Sequence, residues 1–114
     1  MKIINRSTNI IVADDVKTAK SFFKRARGLL FSPPLKYGSG LWIEPCSSIH
    51  TFFMGYPIDV IFVGEDAQIL HVIEKLQPWR ASKIVAGAKA VLELPPGTAQ
   101  EKSIRPGHYL RFTE

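Results

Sequence analysis

The sequence predicts a mainly β protein: an antiparallel β-sandwich or partly closed barrel, with one α-helix in its N-terminal third. Three observations lead there. Short apolar runs are separated by frequent Gly, Pro, Asn and Asp turn signals, the pattern of all-β domains. Only one stretch carries apolar residues at helical spacing. Strand–helix alternation is absent, so a doubly wound parallel sheet is not expected. A length of 114 residues suits a single domain, 1–114.

Lys2 to Asn5 and Ile10 to Ala13 are apolar runs around Arg6-Ser7-Thr8-Asn9, and the polar cluster between them is turn chemistry, so they read as a β-hairpin. The helix is expected at about residues 14–27. Asp14 or Asp15 would accept hydrogen bonds from its first turn, Val16, Ala19, Phe22, Phe23 and Ala26 recur at helical spacing, and Gly28 would end it. Strands follow at Leu41–Glu44, Ile49–Met54, Pro57–Val63, Gln68–Leu76 and Ala90–Leu94, each bounded by Gly, Pro or Asp. Thr98-Ala99-Gln100-Glu101 has the spacing of a capping box, with room for about one helical turn. His108 to Phe112 closes the chain as a strand.

Composition narrows the function classes. Hydrophobic residues make up 46% and charged residues 22%, which excludes disorder, collagen and coiled coil as whole-chain readings. No apolar run reaches the roughly 18 residues of a membrane span. A single cysteine leaves no internal disulfide and no multi-thiolate zinc site. No phosphate-cradling glycine loop, serine-nucleophile elbow or paired CxxC occurs, so dinucleotide, P-loop and serine-hydrolase chemistry lack support. The net charge of +5 is uneven: residues 1–36 hold eight Lys/Arg against two Asp, and the remainder is close to neutral. Lys17, Lys20 and Lys24 would line one stripe of the helix, either a solvated face or a surface for polyanions.

The densest segment runs from Pro45-Cys46-Ser47-Ser48-Ile49-His50 through Thr51-Phe52-Phe53-Met54-Gly55-Tyr56 to Pro57-Ile58-Asp59-Val60-Ile61-Phe62. With Arg27-Gly28-Leu29-Leu30 upstream and Val91-Leu92-Glu93-Leu94-Pro95-Pro96-Gly97 downstream, it resembles domain-of-unknown-function family 192, small bacterial and archaeal domains. Ile104-Arg105-Pro106-Gly107-His108 is similar to the family's closing turn, with His108 where the family often has Asp, so no carboxylate role carries over there. The resemblance covers about residues 10–112. It implies a compact, mainly β domain with a helix near the N-terminus, and no particular activity. Many family members carry an export signal. Here Met1-Lys2-Ile3-Ile4-Asn5-Arg6 turns polar too early for one, so the expected compartment is the cytoplasm.

The residues themselves suggest a site. A two-residue loop at Gly55-Tyr56 would pair Phe52 with Asp59 and His50 with Ile61. His50 and Asp59 would then share a face as diagonal neighbours. A carboxylate among Phe, Met and Ile is costly unless paired and hydrogen-bonded. Glu93, in the apolar strand Ala90–Leu94, poses the same problem. Two such carboxylates with a histidine nearby describe either a polar pocket or a set of structural fasteners. Trp79 and Arg80, in a loop flanked by Pro78, could stack on a sugar or base. Cys46 and His50 have a C-x₃-H spacing that lacks further metal ligands, and a free cysteine is commonly a small packing residue. His71, alternating with Leu70 and Val72, reads as a surface residue.

The leading expectation is a domain that binds a small polar or anionic ligand, a carbohydrate among the candidates. Arg27, Thr51, Glu93, Trp79 and Arg80 would contact it. The first alternative is an enzyme in which Asp59 orients His50 as general acid or base. The second is a protein or nucleic-acid interaction module that uses the basic helix face of Lys17, Lys20 and Lys24, nucleic acid being the less favoured partner. No cofactor, metal or membrane partner is expected, and the oligomeric state is not written in the sequence.

Overall fold

The computed structural model describes residues 1–19, 34–52 and 54–114. It is mainly β and built from two sheets, with no closed barrel among the described residues. Strands β1 (Lys2–Asn5), β2 (Ile10–Ala13) and β8 (Leu110–Thr113) form a three-stranded sheet in the order β2-β1-β8. Strands β3 (Asp15–Ala19), β4 (Ser39–Ile43), β5 (Ile58–Val63), β6 (Ile69–Leu76) and β7 (Ala90–Leu94) form the larger sheet, in the order β3-β4-β7-β5-β6. All pairings are antiparallel except β3 with β4. A 3-10 turn spans Glu65–Ala67, and a one-turn helix, α1, spans Thr98–Glu101.

The expected β1–β2 hairpin forms, with Asn9 taking the left-handed conformation (φ 61°) that asparagine tolerates best after glycine. The expected helix start does not form. Asp15–Ala19 is strand β3, in register with Ser39–Ile43. Val16 points into the core while Lys17 is exposed. The β-branched Val16 and Thr18 suit a strand, and a neighbour more than twenty residues away in sequence outweighs a local helical spacing. Lys20, Lys24 and Arg27, from the remainder of that expected helix, lie outside the described residues, as does Phe53.

Two cores flank the larger sheet. Between the sheets, Ile3, Val12 and Leu110 of the smaller one pack with Val16, Ile61, Val63, Leu92 and Leu94 of the larger one. On the far face, Ile43, Ile58, Val60, Phe62 and Val91 meet Ile49, Met54 and Val85, which come from loops. Strands β5 and β7 are therefore buried on both faces along their whole length, which explains why they read as continuous apolar runs.

Those loops, residues 44–57 and 77–89, run alongside each other and are laced by main-chain hydrogen bonds. Cys46 N–H donates to Lys89 O (3.1 Å), Val85 N–H to Ser47 O (2.9 Å), Ser82 N–H to Ile49 O (2.8 Å) and Thr51 N–H to Arg80 O (2.8 Å). His50 bridges Ala81 within the same ladder. This corrects the expected hairpin. Residues 49–52 and Met54 do not pair with β5, because β6 holds one edge of β5 and β7 the other.

The smaller sheet is closed by a side-chain acceptor. Fully buried Asn5 accepts from Ser7 N–H (3.0 Å) and Thr8 N–H (3.3 Å) through Oδ1, and donates through Nδ2 to His108 Nδ1 (3.0 Å). The Arg105 N–H also donates to His108 Nδ1 (3.3 Å). Both partners are donors, so Nδ1 is the acceptor and the ring proton sits on Nε2. A carboxylate could accept the same two bonds. Accordingly, His108→Ala should lower unfolding free energy by about 1–3 kcal/mol, the cost of orphaning the buried Asn5 donor, while His108→Asp should stay close to wild type. Urea midpoints of the two variants measure the difference, and equal losses would contradict this role.

Candidate functional site

The structure separates the residues that the sequence grouped. Asp59 is fully buried, on the face of β5 that looks toward the smaller sheet. Opposite it, β6 places two residues, Glu74 and Lys75, where the ladder passes from Ile58–Leu76 to Val60–Ile73. Lys75 is the bulged residue, with φ 54°. Its N–H donates to Asp59 Oδ1 at 2.8 Å. The other carboxylate oxygen, Oδ2, accepts from Ala99 N–H at 2.8 Å, in the first turn of α1. That turn follows Gly97 (φ 93°), and no side chain of its own caps it. The Thr98 hydroxyl of the expected capping box is not used. A carboxylate from a strand 40 residues away in sequence does its work.

Glu93 is also fully buried, but on the opposite face of the sheet. It pairs with Leu41 and Val60 and shares its face of β7 with Val91, which belongs to the far-face core. Asp59 and Glu93 thus do not converge on one pocket. Nor are His50 and Asp59 diagonal neighbours, since the register that would make them so is not formed.

His50, Thr51, Trp79 and Arg80 do come together, at the end of the loop layer. Thr51 is the fastener. Fully buried, it donates through Oγ1 to Gln77 O (2.6 Å) and accepts there from Arg80 N–H (3.0 Å). Its carbonyl accepts from Trp79 N–H (3.0 Å) and Met54 N–H (3.2 Å). Trp79 is held at φ 63° within this knot. The result is a stack of rings: His50 lies on Phe52 with centroids 4.9 Å apart and planes 24° from parallel, and Phe52 lies near Trp79 at 6.1 Å and 27°. Phe52 remains 40% exposed and Trp79 55%. Arg80 is exposed beside them, its guanidinium reaching the Trp79 carbonyl (3.4 Å). The sequence pointed to Trp79-Arg80 and to His50. It missed Phe52 as their link, because Phe52 looked like a core residue of a strand.

A shallow depression of about 470 Å³ lies at the other end of the loop layer, lined by Glu44, Pro45, Cys46, Ser47, Ala88 and Lys89. The Cys46 thiol there donates to Ser48 O (3.1 Å). Lys89 pairs with Glu65; their hydrogen bond and charge attraction hold the Glu65 carboxyl below its ordinary pKa and raise that of Lys89. Both side chains are largely exposed, so the pair contributes little to stability. His71 is half-buried, its ring 5.9 Å from Phe62.

Comparison with known proteins agrees with this architecture. The profile of domain-of-unknown-function family 192, described as uncharacterized ACR, matches residues 3–112. The chain belongs to that family. Among family 192 relatives, a UPF0127 protein of Pyrococcus horikoshii is 38% identical over 107 residues, covering 91% of this chain and 90% of the relative. A UPF0127 protein of Thermococcus sibiricus is 36% identical over 100 residues, 83% of this chain but only 64% of that longer protein. The crystal structure of a protein of unknown function from Novosphingobium aromaticivorans superposes with a TM-score of 0.80 at 22% identity, over 97% of this chain and 82% of the other, and so shares its fold.

The Thr51 knot carries a direct test. Thr51→Val removes the hydroxyl at constant shape and should cost about 1–3 kcal/mol in chemical denaturation, because the Gln77 carbonyl and Arg80 N–H lose their partner. Thr51→Ser, which keeps the hydroxyl, should recover most of it. Equal destabilisation by both would show that the methyl group, not the hydroxyl, matters.

Proposed function

We propose that this chain is a binding domain for a polar ligand, a carbohydrate by class, held at the loop rim formed by His50, Phe52, Trp79 and Arg80. The observation that carries the reading is the ordered stack of three rings that leaves Phe52 and Trp79 substantially in solvent. Large aromatic side chains are seldom left exposed in a cluster without a use. A pyranose presents an apolar C–H face edged by hydroxyls. The electron-rich face of an aromatic ring matches the first, and the Arg80 guanidinium can donate to the second. Rigidity favours the same use. The Thr51 knot orders both loops before any ligand arrives, so little conformational freedom remains to be lost on binding. In this reading Thr51 and Asp59 serve the site indirectly, by holding its frame.

Affinity electrophoresis against a set of soluble neutral and acidic polysaccharides should retard the wild-type protein with at least one of them. Trp79→Ala and Phe52→Ala should each weaken that retardation at least tenfold, about 1.4 kcal/mol. Their thermal midpoints should change little, since both rings are at the surface. No retardation by any polysaccharide, or retardation indifferent to Trp79→Ala, would overturn the proposal.

A further inference from the structure

The solvent face of the smaller sheet is a second surface with its own chemistry. Ile3 and Asn5 point inward and are fully buried, so Lys2, Ile4 and Arg6 point outward. The ladder sets Lys2 beside Thr113, Ile4 beside Arg111 and also beside Ile11, and the Arg6 N–H extends it by donating to Tyr109 O (2.9 Å). The outward grid is therefore Lys2, Ile4, Arg6, Ile11, Tyr109 and Arg111. It carries three cations and no carboxylate. The Arg6 guanidinium lies over the Tyr109 ring, 4.6 Å from its centroid. Among the described residues, no salt bridge engages Lys2, Arg6 or Arg111. The nearest carboxylates by register, Asp14, Asp15 and Glu114, fall at the Lys2 end only. Part of the basic excess of the first 36 residues thus stands on the outer face of this sheet, joined by Arg111 from the far end of the chain.

We infer that this face binds single-stranded nucleic acid. A sheet face of exposed and half-buried side chains gives a small anion no enclosure, so the charge is arranged for an extended polyanion. Lys2 and Arg6, four residues apart on the same extended segment, are about 13 Å apart, and Arg111, set opposite Ile4 between them, is a diagonal neighbour of each at about 7–8 Å, so successive phosphates can be met across the sheet. The guanidinium of Arg6, seated over the Tyr109 ring on an exposed side chain, can also stack on a base, and Ile4 and Ile11 give the next base an apolar floor. A duplex fits less well. With about 4.8 Å between neighbouring strands before side chains are added, three strands are too broad for a major groove about 12 Å wide. A lipid surface would use the charges but has no need of a planar stack. The inference is independent of the aromatic rim, with which it shares no residue.

The test is fluorescence anisotropy with a labelled single-stranded oligonucleotide of about twelve nucleotides, titrated at several salt concentrations. Three phosphate contacts predict that log K falls against log salt with a slope of about −2, at about 0.7 per contact on single strands. The triple variant Lys2→Gln, Arg6→Gln, Arg111→Gln should bind at least about tenfold more weakly, with a slope near zero. Should its thermal melt show damage to the fold, Arg6→Gln and Arg111→Gln singly carry the comparison. Arg6→Lys keeps the charge and loses the plane, so affinity should drop several-fold while the slope stays. No binding at low salt, or affinity indifferent to these substitutions, would overturn the inference. So would equal or tighter binding of the matching duplex or of phosphatidylserine vesicles.

Discussion

Both oxygens of the Asp59 carboxylate accept backbone N–H groups, one from the bulge at Lys75 and one from the first turn at Ala99. The bulge lets β6 follow β5 past the point where their pairing shifts. The turn carries the chain from β7 toward β8, which completes the other sheet. One buried anion therefore couples three segments that are remote in sequence. A carboxylate is suited to this because it accepts in two directions at once and its bonds to amide donors are charge-assisted. Its burial, which would be costly in isolation, is compensated by those two bonds.

The rim depends on this frame at one remove. β5 and β7 offer an apolar far face to the loop layer, and the loops are secured there by their main-chain ladder and by Thr51. Ile49 and Met54 are apolar because they cover that face, and Phe52 faces solvent because the knot at Thr51 turns it outward onto His50 and Trp79. The polar residues that looked catalytic by composition fall into two groups. Asp59 and Thr51 are consumed by backbone partners, while Trp79 and Arg80 are exposed at the rim and His50 is half-buried against Phe52.

Much of the fold was legible because it is written locally. Turn residues bound most strands, Arg6 to Asn9 mark the first hairpin, and the apolar run at Ala90–Leu94 announces a strand buried on both faces. The burial of Asp59 was legible too, since a lone carboxylate in an apolar run must be satisfied. Its partners were not, because backbone amides 16 and 40 residues away leave no mark on the sequence around it. The same reason accounts for Asp15–Ala19, where parallel pairing with Ser39–Ile43 decides the conformation. It accounts as well for residues 49–54, whose apolar pattern suits a strand and a covering loop equally.

The coupling through Asp59 is most directly measured by residue-resolved amide hydrogen exchange, comparing wild type with Asp59→Asn. Asparagine keeps the size but presents an amide N–H₂ to one of the two donors. The account predicts that protection falls chiefly at Lys75 and Ala99 and spreads into the turn at 98–101, while the β1–β2 hairpin, which gives Asp59 no hydrogen bond, keeps its wild-type rates. Unchanged exchange at both Lys75 and Ala99 would contradict it.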